Sequence, residues 1–224
     1  MPGSRGRGVV LRTNASTERH ETAVNRGRLV AFEGIDGSGK STQLELLAAA
    51  LRAAGREVVE TREPTEGAIG RRIRATARSG ERLAPAEELR CFVEDRREHV
   101  RAVIEPGLAA GRTVLTDRYY LSTVAYQGAR GLDPARLLAE AEAEFPAPDL
   151  ALLLDLPPDI GLERIAARGG RSEPGFEDAH YLAAVAAVFR SLARPYILRL
   201  DAEHPPAAVH RAILYALRRR LDLP

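Results

Sequence analysis

Cysteine, tryptophan and lysine are scarce in this sequence. It has one cysteine, Cys91, and no tryptophan. A single cysteine excludes an internal disulfide and a cysteine metal cluster, and a chain without disulfides is typical of a reducing compartment. Every uninterrupted apolar run, Leu150–Leu154 among them, is far shorter than the roughly 20 residues that a membrane-spanning helix needs. We therefore expect a cytoplasmic protein that has no membrane partner.

Neither sign of charge dominates the chain. Its 33 basic and 31 acidic residues leave a formal charge of +2, which argues against a nucleic-acid partner. Hydrophobic residues make up 45% of the 224 positions and charged residues 29%, a balance typical of globular proteins. The length suits one domain.

The only lysine is Lys40, and the other 32 basic residues are arginines. It lies in GIDGSGKST, which matches the phosphate-binding motif G-x-x-x-x-G-K-[ST] between a strand and a helix. In such a loop the backbone N–H groups hold phosphates, the lysine neutralises them and the next hydroxyl ligates Mg²⁺. We expect ATP to bind through Gly34, Ile35, Asp36, Gly37, Ser38, Gly39, Lys40, Ser41 and Thr42, with Ser41 as a Mg²⁺ ligand.

Other proteins with a phosphate-binding loop fit less well. Guanine-selective switches read the base with N-K-x-D, which this chain cannot contain because Lys40 is its only lysine. A dinucleotide site needs G-x-G-x-x-G, whereas the glycines here are at 34, 37 and 39. The chain is also short for a motor protein. A small-molecule kinase remains.

After residue 27, short apolar segments alternate with longer amphipathic ones, which predicts a parallel sheet between two helical layers. The predicted strands are 28–33, 57–61, 112–116, 150–156 and 196–201. The predicted helices are 39–54, 67–78, 85–110 with a bend near Pro106, 134–144, 159–168, 176–193 and 207–221. We expect a three-layer α/β/α sandwich with a five-stranded sheet over 28–224, and a flexible tail over 1–27.

Polar residues that suit a phosphoryl acceptor follow the second and third predicted strands. TREPT and TDRY end these strands, at the edge of the sheet that also carries the phosphate loop. Within TDRY, Asp117 is suited to hold Mg²⁺ or its bound water, and Arg118 to clamp a phosphate. Phe92 and Arg96 are one helical turn apart, so that a ring for base stacking and a guanidinium for the base edge share a face.

Taken together, these motifs resemble those of thymidylate kinases. The segments that carry the resemblance are FEGIDGSGKSTQ at 32–43, TREP at 61–64, CFVEDRREHV at 91–100, VLTDRYYLSTVAYQG at 114–128, LLLDLPP at 152–158 and an arginine-rich segment at 164–173. The resemblance implies a P-loop NTPase fold of the nucleoside-monophosphate-kinase type. It also implies transfer of the ATP γ-phosphoryl group to dTMP for dTTP synthesis, with Mg²⁺, in a homodimer for which the long 85–110 helix is a candidate surface.

The resemblance also assigns roles to individual residues. Lys40, Asp117 and Arg118 would be catalytic, and Asp117 would organise Mg²⁺ together with Ser41. Phe92 would stack on thymine and Arg96 would bind its edge. The remaining acceptor residues would be Arg62, Glu63, Ser122, Thr123, Tyr126 and Gln127, with Tyr126 crowding the 2′ position.

One catalytic arginine is expected from a mobile lid at about 164–175. Gly37 and Ser38 leave the phosphate loop without an arginine, and bacterial thymidylate kinases then place one in the lid. Arg171 is the best candidate, with Arg168 and Arg164 as support. The chain departs from many bacterial members at TREPTEG, where they read R-E-P-G-G-T, and at Gly170, where an aspartate is common.

Two other functions stay open at this point. One is a related kinase for another pyrimidine deoxynucleotide or a deoxynucleoside. The other is a nucleotide-binding regulator without catalytic activity. Cys91 and the five histidines show no ligand spacing, so we expect structural roles for them.

Overall fold

The structure is a computed structural model that describes residues 26–79, 83–167 and 179–223. The strands are β1 (Arg28–Glu33), β2 (Val58–Arg62), β3 (Thr113–Asp117), β4 (Leu150–Asp155) and β5 (Ile197–Asp201). The α-helices are α1 (Lys40–Ala53), α2 (Ala68–Ser79), α3 (Pro85–His99), α4 (Glu105–Ala109), α5 (Tyr120–Gly128), α6 (Pro134–Glu144), α7 (Pro158–Ala167), α8 (Ala179–Ser191) and α9 (Pro206–Leu221). None of these helices is long and apolar enough to cross a membrane.

The strands form one parallel sheet in the order β2-β3-β1-β4-β5. Helices α1 and α9 pack against each other, and α5 packs against α6 and α8. Leu29, Val30 and Phe32 in the central strand are fully buried, as expected for a strand that is covered on both faces. The predicted sandwich with a five-stranded parallel sheet is confirmed.

The strand order brings the predicted site residues to one edge. Phe32 pairs in register with Asp117, and Arg62 pairs with Asp117 from the other side. The carboxyl ends of β1, β2 and β3 therefore lie side by side, where ligands bind in open parallel sheets. The phosphate loop leaves this same edge from β1.

The long helix changes its geometry earlier than predicted. A π-helical segment, Val100–Ile104, separates α3 from α4, and the N–H of Glu105 donates to the carbonyl of Val100, five residues earlier. Pro106 itself lies within the first turn of α4. Proline lacks an N–H and crowds the carbonyl four residues before it, so the wider turn directly before Pro106 accommodates it without ending the helix.

Two further differences concern the site. The ends of β2 and β3 lie one residue later than predicted, which places Arg62 and Asp117 at the strand ends. The segment after TDRY is helical, as α5, although no helix was predicted there. Tyr120 through Gln127 are all buried, so the segment has no polar stripe from which a helical period can be read.

Candidate active site

The phosphate loop joins β1 to α1 and is built on glycine. Gly34, Gly37 and Gly39 all have positive φ angles, of 137°, 80° and 92°, which favour glycine. At Gly37 a Cβ atom would lie 2.3 Å from the carbonyl oxygen of Gly161, so the loop also approaches α7 too closely for a side chain. Helix α1 begins directly after Gly39, and the N–H groups in the first turn of a helix favour an anion.

Lys40 is folded against the loop. Its Nζ donates to the carbonyls of Gly34 at 3.1 Å and Ile35 at 2.8 Å, and the residue is only 6% exposed. Burial, together with the charge of Arg118, lowers the pKa of Lys40 to about 8. The ammonium therefore lies at the loop, within reach of a phosphate held there.

Ser41 and Asp117 meet at the mouth of the loop. The Ser41 hydroxyl donates to Oδ2 of Asp117 at 2.5 Å, although the two residues come from α1 and β3. The other carboxylate oxygen, Oδ1, is buried and has no hydrogen-bond partner among the described residues. The predicted pair of Mg²⁺ ligands is thus brought together.

Arg118 connects the loop to α5. Its guanidinium donates to Asp36 at 2.6 Å and to Ser122 at 3.2 Å, and it lies 5.1 Å from the centre of the Tyr126 ring. Burial raises the pKa of Asp36, but the charges of Arg118 and Lys40 outweigh it and the net pKa is lowered. Arg118 has a positive φ of 70°, a backbone conformation that is uncommon for arginine and clusters at functional sites.

Glu33 is buried between the phosphate loop, which follows it in the chain, and the start of α5. It is fully buried at the end of β1, where it accepts hydrogen bonds from the backbone N–H of Tyr119 at 3.0 Å and from the Ser122 hydroxyl. Burial raises the pKa of Glu33 to about 7, although the Ser122 hydrogen bond and the charge of Arg118 oppose the increase. Glu33 thereby joins the start of the phosphate loop to the start of α5.

One cavity of about 460 Å³ extends from the phosphate loop to α3 and α5. The predicted residues that line it are Asp36, Gly37, Gly39, Lys40, Ser41, Thr42, Arg62, Glu63, Phe92, Arg96, Asp117, Arg118, Ser122, Thr123 and Tyr126. Phe92 is half-buried in its wall. One ligand can therefore extend from the loop to α3, or two ligands can meet between them.

Known proteins with a similar sequence identify the family. The profile described as thymidylate kinase matches residues 32–213. A thymidylate kinase from Desulfotalea psychrophila is 43% identical over 199 residues, which cover 89% of this chain and 98% of the relative. A thymidylate kinase from Akkermansia muciniphila is 47% identical over 199 residues, which cover 89% of this chain and 95% of the relative. One from Xanthomonas campestris pv. campestris is 46% identical over 199 residues, which cover 87% of this chain and 86% of the relative.

The chain belongs to the thymidylate kinase family. The predicted family and the predicted enzyme class, a phosphotransferase, are confirmed. Most of the residues expected around the phosphate loop and the acceptor lie around one cavity, while Gly34, Ile35 and Ser38 of the loop do not line it. The individual roles of all these residues remain predictions.

Some predicted residues do not line this cavity. Gln127 is fully buried and donates to the carboxylate of Glu88, so it supports α5 from behind. Arg164 donates to the carbonyls of Ala202 and Glu203, after β5. Arg168 and Arg171, with most of the predicted lid and the predicted tail at 1–27, lie outside the described residues.

Sequence reasoning missed three polar residues at the site. Arg74 of α2 lines the cavity and donates to the carbonyls of Pro64 and Thr65. Glu33 and His99 are buried beside cavity residues. Glu33 could have been suspected, because a carboxylate at the end of an apolar strand needs a buried partner.

Proposed function

We propose that this chain catalyses the Mg²⁺-dependent transfer of the ATP γ-phosphoryl group to dTMP, which yields ADP and dTDP for dTTP synthesis. The observation that carries the proposal is the continuous cavity between Lys40 of the phosphate loop and Phe92 of α3. Membership of the thymidylate kinase family supports dTMP as the acceptor.

The acceptor side suits a pyrimidine deoxynucleotide. The half-buried Phe92 ring offers a face for base stacking, and Arg96 adds donors for a base edge. Ser122 and Thr123 contribute hydroxyl groups to the same wall. The Tyr126 ring lies beside Arg118, and we assign it the role of crowding the 2′ position, which favours deoxyribose.

The oxygen groups at the mouth of the loop fit Mg²⁺. Ser41 and Asp117 would supply hard oxygen ligands: the Ser41 hydroxyl lies 2.5 Å from Oδ2 of Asp117, and Oδ1 of Asp117 is buried without a hydrogen-bond partner among the described residues. The described residues contain no group of three or more histidine, cysteine, aspartate or glutamate side chains that would hold a metal alone. Mg²⁺ usually binds through one or two protein ligands and substrate phosphates, and it neutralises charge on the β- and γ-phosphates.

The reaction needs placement and positive charge rather than a strong base. The acceptor phosphate is already an anionic nucleophile; its oxygen bonds to the γ-phosphorus while the bond from that phosphorus to the β–γ bridging oxygen breaks. We assign Lys40 to the donor phosphates and Arg118 to the acceptor phosphate. Arg171, supported by Arg168, would supply the remaining charge from the lid.

We also propose a cytoplasmic homodimer. The helix named as its surface, α3, exposes charged side chains at Arg90, Glu94, Arg97 and Glu98, and Arg97 pairs with Glu144 of α6 in the same chain. An α3 interface would therefore be polar. Size-exclusion chromatography with light scattering measures the oligomeric state. A monomer at micromolar concentration would contradict the proposed homodimer.

An assay of ADP release tests the acceptor. The chain is incubated with ATP, Mg²⁺ and one of dTMP, dUMP, dCMP, dAMP, dGMP or thymidine, and kcat/KM is compared. We expect the highest value for dTMP. A higher value for another acceptor would indicate a related kinase, and ATP binding without turnover of any acceptor would indicate a regulator.

A further inference from the structure

A buried network connects α3 to the loop after β2. The side chains of Glu63, Arg96 and His99 are at most 4% exposed. Oε2 of Glu63 accepts from Nε of Arg96 at 2.9 Å and from its Nη2 at 2.6 Å. Oε1 of Glu63 lies 2.9 Å from Nδ1 of His99. Each carboxylate oxygen is therefore held by a different residue of α3.

The charge state of Glu63 fixes the hydrogen on the histidine ring. Burial raises the pKa of Glu63, but the charge of Arg96 and the hydrogen bond of His99 outweigh it and the net pKa is lowered. An ionised carboxylate only accepts hydrogen bonds, so Nδ1 of His99 carries a hydrogen and donates it. On the other side of the ring, Nε2 lies 2.7 Å from the Thr61 hydroxyl, which holds the ring in this orientation.

The guanidinium of Arg96 is held on every side but one. Its Nη2 also donates to Thr123 at 2.7 Å, and its central carbon lies 5.4 Å from the ring centres of both Tyr119 and Phe145. Among the described residues, no atom accepts a hydrogen bond from Nη1. Arg96 also lines the cavity, so Nη1 is the donor that remains for a ligand.

We propose that His99 is a positioning residue for base selection, which acts by holding Glu63 so that Glu63 orients Arg96 toward the acceptor base. This inference rests on the proposed function to the extent that the base lies against Arg96. Without His99, Oε1 of Glu63 would be buried without a partner, a state that costs a carboxylate more than the bond itself contributes. The carboxylate would then turn, and Arg96 with it.

The base contact has a chemical signature. Thymine presents an acceptor oxygen at C4, whereas cytosine presents an amino group there. A well-placed Arg96 donor therefore favours dTMP over dCMP, and a misplaced donor loses this preference. A general loosening of the site would weaken the binding of both nucleotides and of ATP alike.

Two substitutions of His99 form a matched pair. In His99→Asn the side-chain amide reaches about as far as Nδ1 and can still donate to Glu63. In His99→Gln the amide reaches toward the position of Nε2 and Thr61 instead. Binding of dTMP, dCMP and ATP to the intact chain is measured by isothermal titration calorimetry, and thermal unfolding of each variant is recorded.

We expect His99→Gln to raise the Kd for dTMP about tenfold and to change the Kd values for dCMP and ATP less than threefold. For His99→Asn we expect a Kd for dTMP within threefold of wild type. Equal losses in both variants, parallel losses for dTMP and dCMP, or no loss in either variant would each overturn the inference.

Two further measurements keep the test decisive. If His99→Gln does not fold, Thr61→Val replaces it: without the Thr61 hydroxyl at Nε2 the ring is free to turn, which withdraws Nδ1 from Glu63. An unchanged preference for dTMP over dCMP then overturns the inference. Turnover of dTMP by the wild-type chain is measured separately. Its absence would refute the proposed function, while the binding experiment needs no phosphoryl transfer.

Discussion

Replacing Glu33 with glutamine should make the stability of the protein less dependent on pH. Glu33 is fully buried, and its pKa is about 7 in the folded chain against 4.5 for an ordinary glutamate. The folded state therefore holds this proton more tightly than the unfolded state does. Stability falls as the pH rises from about 4.5 to 7 and stays low above that range.

The size of the effect follows from the two pKa values. A difference of about 2.5 pH units corresponds to about 3.4 kcal/mol at 1.36 kcal/mol per unit. At pH 5 the folded wild-type protein has already lost about 0.8 kcal/mol of this stabilisation, and it loses about 2.5 kcal/mol more between pH 5 and pH 8. In Glu33→Gln the amide oxygen can accept from the Tyr119 N–H and its NH₂ group can donate to the Ser122 hydroxyl, so the local contacts are retained.

Urea unfolding of both proteins at pH 5, 6, 7 and 8 measures this difference. We expect the free energy of unfolding of Glu33→Gln, relative to wild type, to rise by about 2.5 kcal/mol from pH 5 to pH 8. Other groups that titrate, such as His210, are present in both proteins, so their contributions to the pH dependence of unfolding cancel in the comparison. The control is Glu45→Gln, on the exposed face of α1, with an expected change below about 0.5 kcal/mol. A relative stability of Glu33→Gln that is constant over this range would refute the reasoning.

The remaining predictions concern Lys40, Arg171 and Glu66. Lys40→Gln should lower kcat about 10²–10³-fold in the ADP-release assay. In the wild-type enzyme, kcat/KM for ATP should decline above about pH 8, because Lys40 of the free enzyme then loses its proton. Arg171→Ala should lower kcat about 10²–10³-fold and leave the Kd for dTMP nearly unchanged. Glu66 pairs with both Arg62 and Arg74, so Glu66→Gln should free Arg62 for the acceptor phosphate and lower KM for dTMP about two- to fivefold.

Each of these has a contrary result. Wild-type kcat/KM that is flat up to pH 10 would show that Lys40 keeps its charge. An unchanged kcat in Arg171→Ala would transfer the lid role to Arg168 or Arg164. A higher KM in Glu66→Gln would mean that Glu66 holds Arg62 in place for the acceptor rather than competing with it.

The parts of the molecule that the sequence predicted are those encoded in contiguous residues. The phosphate loop is one nine-residue motif, and the buried strands are continuous apolar runs, so both were found with their boundaries nearly correct. Helix α5 was missed because every residue from Tyr120 to Gln127 is buried, which removes the periodic pattern. Ser122, Thr123 and Tyr126 of this segment line the cavity, but the helix that carries them was not predicted.

The buried polar network could not be predicted in the same way. Glu63 is 33 positions from Arg96 and 36 from His99, and only the fold brings them together. The sequence indicated Arg96 as a base-binding residue through its spacing from Phe92. It gave no sign that most of the donors of Arg96 are occupied by protein, because that depends on burial and partners across elements.

The position of Lys40 has a consequence for the chemical handling of this protein. Within these 224 residues, an amine-directed acylating reagent has Lys40 as its only side-chain target, besides the terminal amine. The lowered pKa supplies the reactive neutral amine near pH 8, while burial restricts the reagent's access. Amine coupling to a surface or a dye would therefore either fail at side chains or inactivate the enzyme, and protection by ATP would report occupancy of the phosphate loop without any measurement of turnover.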